Sequence, residues 1–153
     1  EELGRTLVSS VEDPLAEALA AQAPEERLLL AIDQLEELFT ACADPAQRTE
    51  WNVRDSDATL IIVDGAGLGV SIGTRRAHQW ARQHGKPELV VDVSDAGAAA
   101  HAAAWLDAQR KRFGPHMTLG IGGPRESEAP GIYQSAALFI AELLNHARRP
   151  RAH

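Results

Sequence analysis

Ala58-Thr59-Leu60-Ile61-Ile62-Val63-Asp64-Gly65-Ala66-Gly67-Leu68-Gly69-Val70-Ser71-Ile72-Gly73-Thr74 is the stretch that decides the fold class. Its first six residues form an unbroken apolar run, rich in β-branched side chains and lacking the apolar–polar alternation of a half-buried strand. A strand covered on both faces reads this way, and such strands belong to parallel sheets. Gly65, Gly67, Gly69 and Gly73 then punctuate a loop, and from Thr74 to His84 the pattern turns helical. Strand, glycine-rich loop and helix in this order form the opening half of a parallel crossover unit.

The same alternation extends in both directions. Arg27–Ile32, Glu88–Val93 and Met117–Ile121 are further short apolar runs. Helical patterns lie between and beyond them at Asp13–Ala23, Gln34–Ala43, Ala96–Arg112 and Ile132–Arg148. The last carries Ile132, Ala136, Phe139, Ile140, Leu143 and Leu144 at helical spacing. Right-handed crossovers between such units predict an α/β protein with a doubly wound, mainly parallel sheet of at least four strands in three layers, α/β/α. The 153 residues suit one domain, with a strand–helix segment over 1–48, the main segment over 49–148 and a frayed basic tail over 149–153.

Bulk composition narrows the partners. The chain is 44% hydrophobic and 24% charged, with a net charge of −7 and a pI near 5.3. That acidic balance argues against nucleic acid or an anionic membrane as the main partner, though it leaves room for one small anion in a local basic pocket. Cys42 is the single cysteine, which rules out an internal disulfide and fits a reducing, cytoplasmic setting. No apolar run approaches the ~20 residues of a membrane span, and no signal peptide is legible at Glu1-Glu2-Leu3. A homo-oligomer stays open.

Doubly wound sheets bind ligands beyond the C-terminal ends of their strands. Two loops there carry suitable chemistry. In the first, Ser71, Gly73 and Thr74 lead into a helix, whose first N–H groups and partial positive charge favour an anion. The competing reading of these residues is a flexible connection with Thr74 as a plain helix cap. In the second, Gly123-Pro124-Arg125-Glu126-Ser127 offers the planar fork of Arg125 and the hydroxyl of Ser127. Here the alternative is that Arg125 pairs with Glu126 or Glu128 and that Pro130 starts the last helix. A third segment, Glu50–Asp57, reads as a surface helix turn with Trp51 on the core and Arg54 paired to Asp57. The six histidines show no pair at metal spacing on a shared site, so no metal site is assigned. Cys42 reads as a buried core thiol without a catalytic partner, and no Ser-His-Asp set is evident.

Three motifs carry a family resemblance. Thr49-Glu50-Trp51-Asn52-Val53-Arg54-Asp55-Ser56-Asp57-Ala58-Thr59-Leu60-Ile61, then Gly73-Thr74 with Ala81-Arg82-Gln83-His84-Gly85-Lys86-Pro87, then Gly123-Pro124-Arg125-Glu126-Ser127 with Ala129-Pro130-Gly131-Ile132-Tyr133 occur in that order. Over about Thr49–Leu144 the chain resembles the family named "putative molybdenum carrier", within a Rossmann-like group that also holds the lysine-decarboxylase-like LOG proteins and DprA-type domains. The resemblance implies a carrier or binding module for a phosphorylated small molecule, either the molybdenum cofactor or a nucleotide. It carries the ligand-binding role to Ser71, Gly73, Thr74, Gly123, Arg125 and Ser127. Two features depart from the family pattern. No GGQTGVD-type loop precedes Thr49, and Ser71-Ile72-Gly73-Thr74 stands where a GGT is expected.

Upstream, Glu26-Arg27-Leu28-Leu29-Leu30-Ala31-Ile32-Asp33-Gln34-Leu35-Glu36-Glu37 is similar to the Walker B segment of STAND-type NTPases, a likeness covering about 13–44. That implies an NTPase or signalling fragment built on Asp33, Glu36 and Glu37. No G-x-x-x-x-G-K-[ST] loop accompanies it, so the core strand and amphipathic helix are the favoured reading, and ATP hydrolysis is not expected. A LOG-like phosphoribohydrolase is a further alternative. The catalytic Glu of that group's glycine loop falls on Ala77 here, which argues against hydrolysis.

Overall fold

In the computed structural model residues 29–32 and 45–148 are described, the former as backbone only. The expected helices Asp13–Ala23 and Gln34–Ala43, the Walker B-like acids Asp33, Glu36 and Glu37, Cys42 and the tail 149–153 lie outside the described residues.

The described chain runs β1 (Leu29–Ile32), α1 (Pro45–Asp55), β2 (Ala58–Val63), α2 (Ile72–Gln83), β3 (Glu88–Asp92), α3 (Ala98–Phe113), β4 (Thr118–Gly122) and α4 (Ile132–Arg148), with a 3₁₀ turn at Gly67–Val70 before α2. β2, β3 and β4 form a parallel sheet with β2 at its centre. β2 pairs with β3 from Thr59↔Glu88 to Val63↔Asp92, and with β4 from Ala58↔Leu119 to Ile61↔Gly122. The backbone of β1 runs parallel beside β4, from Leu29↔Thr118 to Ile32↔Ile121, which gives the order β1-β4-β2-β3.

All six residues of β2 are buried, as its unbroken apolar run requires. Its side chains alternate between two cores. Leu60 and Ile62 join Leu106 of α3 and Ile140 and Leu143 of α4, whereas Ile61 and Val63 join Val53 of α1 and Ala77 and Ala81 of α2. Helices thus cover both faces of the sheet, as a sheet of continuous apolar strands demands. No helix among the described residues is long and apolar enough to cross a membrane.

The segment Glu50–Asp57 departs from its expected packing. It belongs to an 11-residue helix opened by Pro45, the residue best suited to a first helical position. The core anchor is Val53, 3% exposed, while Trp51 remains 41% exposed. Arg54 binds Asp55 at 2.6 and 2.9 Å instead of Asp57. Asp57 faces the sheet, where its carboxylate accepts the Thr118 N–H at 2.7 Å and its own N–H donates to the Thr118 carbonyl. The reason is positional. Asp55 closes the helix and Asp57 sits on the approach to β2, so the two carboxylates point to different partners.

Candidate functional site

Connection direction creates the crevice. β2 and β4 are sheet neighbours, yet β2 leads into α2 on one face and β4 leads into α4 on the other. Loops parting from adjacent strands leave a gap at the strand C-termini, the topological switch point of such folds.

On the α2 side, the loop folds in small steps. Asp64 accepts the Ala66 N–H at 3.1 Å, and Gly67 takes a positive φ of 70° that favours glycine. Ser71 then caps the helix from an extended conformation, its buried hydroxyl oxygen accepting the Thr74 N–H at 3.3 Å. The cap is therefore Ser71, and the helix starts at Ile72, two residues before the position read from the sequence. Thr74 is the third residue of the first turn, 3% exposed, and its Oγ1 has no hydrogen-bond partner. Gly73 is exposed, and a methyl group there would meet only Ser71 Oγ, at 3.7 Å.

The β4 side has a different logic. A Cβ on Gly123 would lie 2.5 Å from the Ile62 carbonyl oxygen, so glycine here is imposed by the close approach of the chain leaving β4 to the neighbouring, parallel β2. Glu126 turns back to the start of α4, its carboxylate accepting the Gly131 N–H and, at 3.1 Å, the Tyr133 N–H. Those two bonds hold its carboxyl below the usual glutamate range. Glu128 accepts the backbone N–H of Arg125 at 2.9 Å. The loop carboxylates thus bind main-chain donors, which a charge-pairing reading of the sequence misses. Arg125 and Ser127 are exposed.

Behind this loop lies a cleft of about 230 Å³, bounded by Ile62, Ile121, Pro124, Ile132, Tyr133 and Ile140. Sequence reasoning passed over it, because its walls come from β2, β4 and α4 and carry no polar motif. The only legible signal was the small residues Ala136 and Ala137 on α4, which also line it. Gly123 lines this cleft, whereas Ser71, Gly73 and Thr74 do not. The two predicted loops stand at the C-terminal ends of neighbouring strands, and this cleft takes no residue from the first of them. No group of three or more His, Cys, Asp or Glu side chains among the described residues is placed to hold a metal ion.

Comparison with known proteins adds two findings. The family model for the circularly permutated YpsA SLOG family matches residues 21–144. The match takes in most of the stretch that resembles a Walker B segment. A crystal structure described as "Putative molybdenum carrier protein" from Syntrophus aciditrophicus SB is 33% identical, with a TM-score of 0.53, over 69% of this chain and 61% of that one. The chain thus spans about three fifths of that protein's length. No curated protein matches the sequence.

Proposed function

The chain belongs to the circularly permutated YpsA SLOG family, and on that premise we propose that it is a binding or carrier module for a phosphorylated small molecule, with the molybdenum cofactor or a nucleotide as its cargo. The observation that carries this reading is the parting of the β2 and β4 connections to opposite faces, the switch point at which such sheets take their ligands. The relative described as a molybdenum carrier supports the same class of ligand. In this reading Ser71, Gly73 and Thr74 of the loop after β2, and Gly123, Arg125 and Ser127 of the loop after β4, are the ligand-binding residues. The apolar cleft suits a ring. A cavity of about 150 Å³ holds benzene, whereas drug-sized ligands need about 300–1,000 Å³, so about 230 Å³ takes a ring system and leaves its charged tail outside.

Binding is favoured over hydrolysis. Ala77 occupies the place of the catalytic Glu and is 5% exposed, packed in the core with Val53 and Ile61. A carboxylate there would be buried without a partner. The reading also takes 1–153 as one domain in the cytoplasm, with Leu29–Ile32 as an integral fourth strand. Slow hydrogen exchange at Leu30 and Ile32, matching that at Leu60, would support the strand, and rapid exchange would remove it.

Thermal unfolding against GMP, AMP, molybdate and a pterin phosphate tests the function. A true ligand at 100 times its Kd adds about 2.7 kcal/mol of stability. No shift with any phosphorylated compound at millimolar concentration would refute the reading.

A further inference from the structure

We propose that the small chamber between α1 and the sheet is a binding site for one internal water molecule, held by the hydroxyls of Thr49 and Thr59 and the side-chain amide of Asn52. The inference is independent of the binding reading above, because the chamber lies on the α1 and α2 face of the sheet and the apolar cleft on the α4 face. The chamber has a volume of about 20 Å³ and is bounded by those three residues with Val53, Ala77 and Gly120. A single water needs about 10–15 Å³ of such space and about two to four polar partners, so the chamber takes one water and nothing larger.

Three observations converge on this chamber. First, Thr59 is 3% exposed, and its Oγ1 has no hydrogen-bond partner within the protein. Along β2 it alternates with Leu60 and shares the face of Ile61, so its side chain stands toward α1 and α2, where it lines the chamber. A buried hydroxyl without a partner is costly, and such groups are normally satisfied by protein or by ordered water. Ser56 gives the contrast. It is as deeply buried, and its Oγ donates to the Asn52 carbonyl at 2.6 Å. Second, α1 lies tight on the sheet at one point and stands off it at another. A Cβ on Gly120 would meet Ser56 Oγ at 2.7 Å and the Asn52 carbonyl oxygen at 3.7 Å, whereas a Cβ on Gly122, which shares that face of β4, would meet nothing within 4 Å. Glycine at 120 admits the helix, and glycine at 122 leaves the space beside it. Third, the chemistry of the lining suits a neutral ligand. Among the described residues no charged side chain borders the chamber, so no ion is matched there. Thr49 and Asn52 lie three residues apart on α1 and thus on one side of it. Hydroxyls and amides both donate and accept, so with Thr59 they offer a water about three bonds, the usual number for a buried one. Ile121 and Gly122 border the chamber and the cleft alike, so this water stands directly behind the β4 residues that line the cleft.

Magnetic relaxation dispersion of the solvent oxygen counts long-lived internal waters in solution. It is run on the full chain and on Thr59→Val and Thr59→Ser, with thermal unfolding of each. Thr59→Val keeps the shape of the side chain and removes the hydroxyl. It should lose one long-lived water and unfold about 2–4 °C below wild type, the loss of one net hydrogen bond in a chain of this size. Thr59→Ser keeps the hydroxyl and removes the methyl group, so it should keep the water even where looser packing lowers its Tm. The sign of the Tm change in Thr59→Val separates the two states of this hydroxyl. Removing a bonded hydroxyl lowers Tm, and removing an unsatisfied one leaves Tm unchanged or raises it. A Thr59→Val Tm at or above wild type, an equal count of waters in Thr59→Val and wild type, or loss of the water in Thr59→Ser would each overturn the site.

Discussion

Gly123→Ala offers the sharpest structural test, because it asks why a glycine of the candidate site is a glycine. The new methyl carbon would lie 2.5 Å from the Ile62 carbonyl oxygen and 3.6 Å from the Ile62 carbonyl carbon. Ordinary contact begins near 3.4 Å, so about 1 Å of movement is needed. Neither partner yields easily. Ile62 sits 2% exposed in β2, which lies between β3 and β4, and Gly123 is followed by the rigid, buried Pro124. Overpacking of a rigid site costs about 1–3 kcal/mol. For a chain of this size each kcal/mol lowers Tm by about 2–4 °C. Gly73→Ala is the internal control, since its methyl finds space and removes a helix-weakening residue. Paired thermal and urea unfolding should show Gly123→Ala clearly destabilised and Gly73→Ala equal to or above wild type. Unfolding of Gly123→Ala within error of wild type would refute the claim that packing on β2 imposes this glycine.

Three further outcomes follow from single contacts. Asp57→Ala removes the acceptor of the Thr118 N–H and should cost about 1–3 kcal/mol in urea unfolding, because that donor is left part-buried at the start of β4. Ser71→Ala removes the cap of α2 and should cost about 1 kcal/mol, with little loss in Ser71→Asn. The Glu126 carboxyl is held below its ordinary value in the folded state, so its contribution is fully present above about pH 4.3 and disappears as pH falls through the lower folded value. Acid unfolding of Glu126→Gln should therefore start from lower stability and show a shallower decline below about pH 4.3; an unchanged acid profile would mean the Gly131 and Tyr133 bonds do not persist in solution.

The sequence by itself determined the class of fold, the positions of the strands and the polarity of the chain through the sheet. It could do so because a strand buried on both faces has no polar alternative. Ala58–Val63 reads as apolar throughout and is buried throughout. The end of the last helix at Arg148 and the start of β3 at Glu88 were legible for the same reason, since local apolar pattern and local structure coincide. The family was legible too, because three motifs recur in order at positions the family model spans.

What tertiary structure alone decided is which groups are already spent. Glu126 and Glu128 stand beside Arg125 in sequence, and nothing local tells which main-chain donors their carboxylates meet. In the fold the chain doubles back after Gly123, presents the main-chain donors of α4 to Glu126, and leaves the carboxylates on N–H groups. The sequence reading put Trp51 on the core, yet helix phase buries Val53 and leaves Trp51 outside. Gly73 and Gly123 look alike as loop glycines. One has open space and the other meets a carbonyl oxygen, because only the second lies against a neighbouring strand. Pattern records what each residue prefers locally. Which donor, acceptor or empty space it meets depends on the crossing of distant segments, and no local preference encodes that crossing.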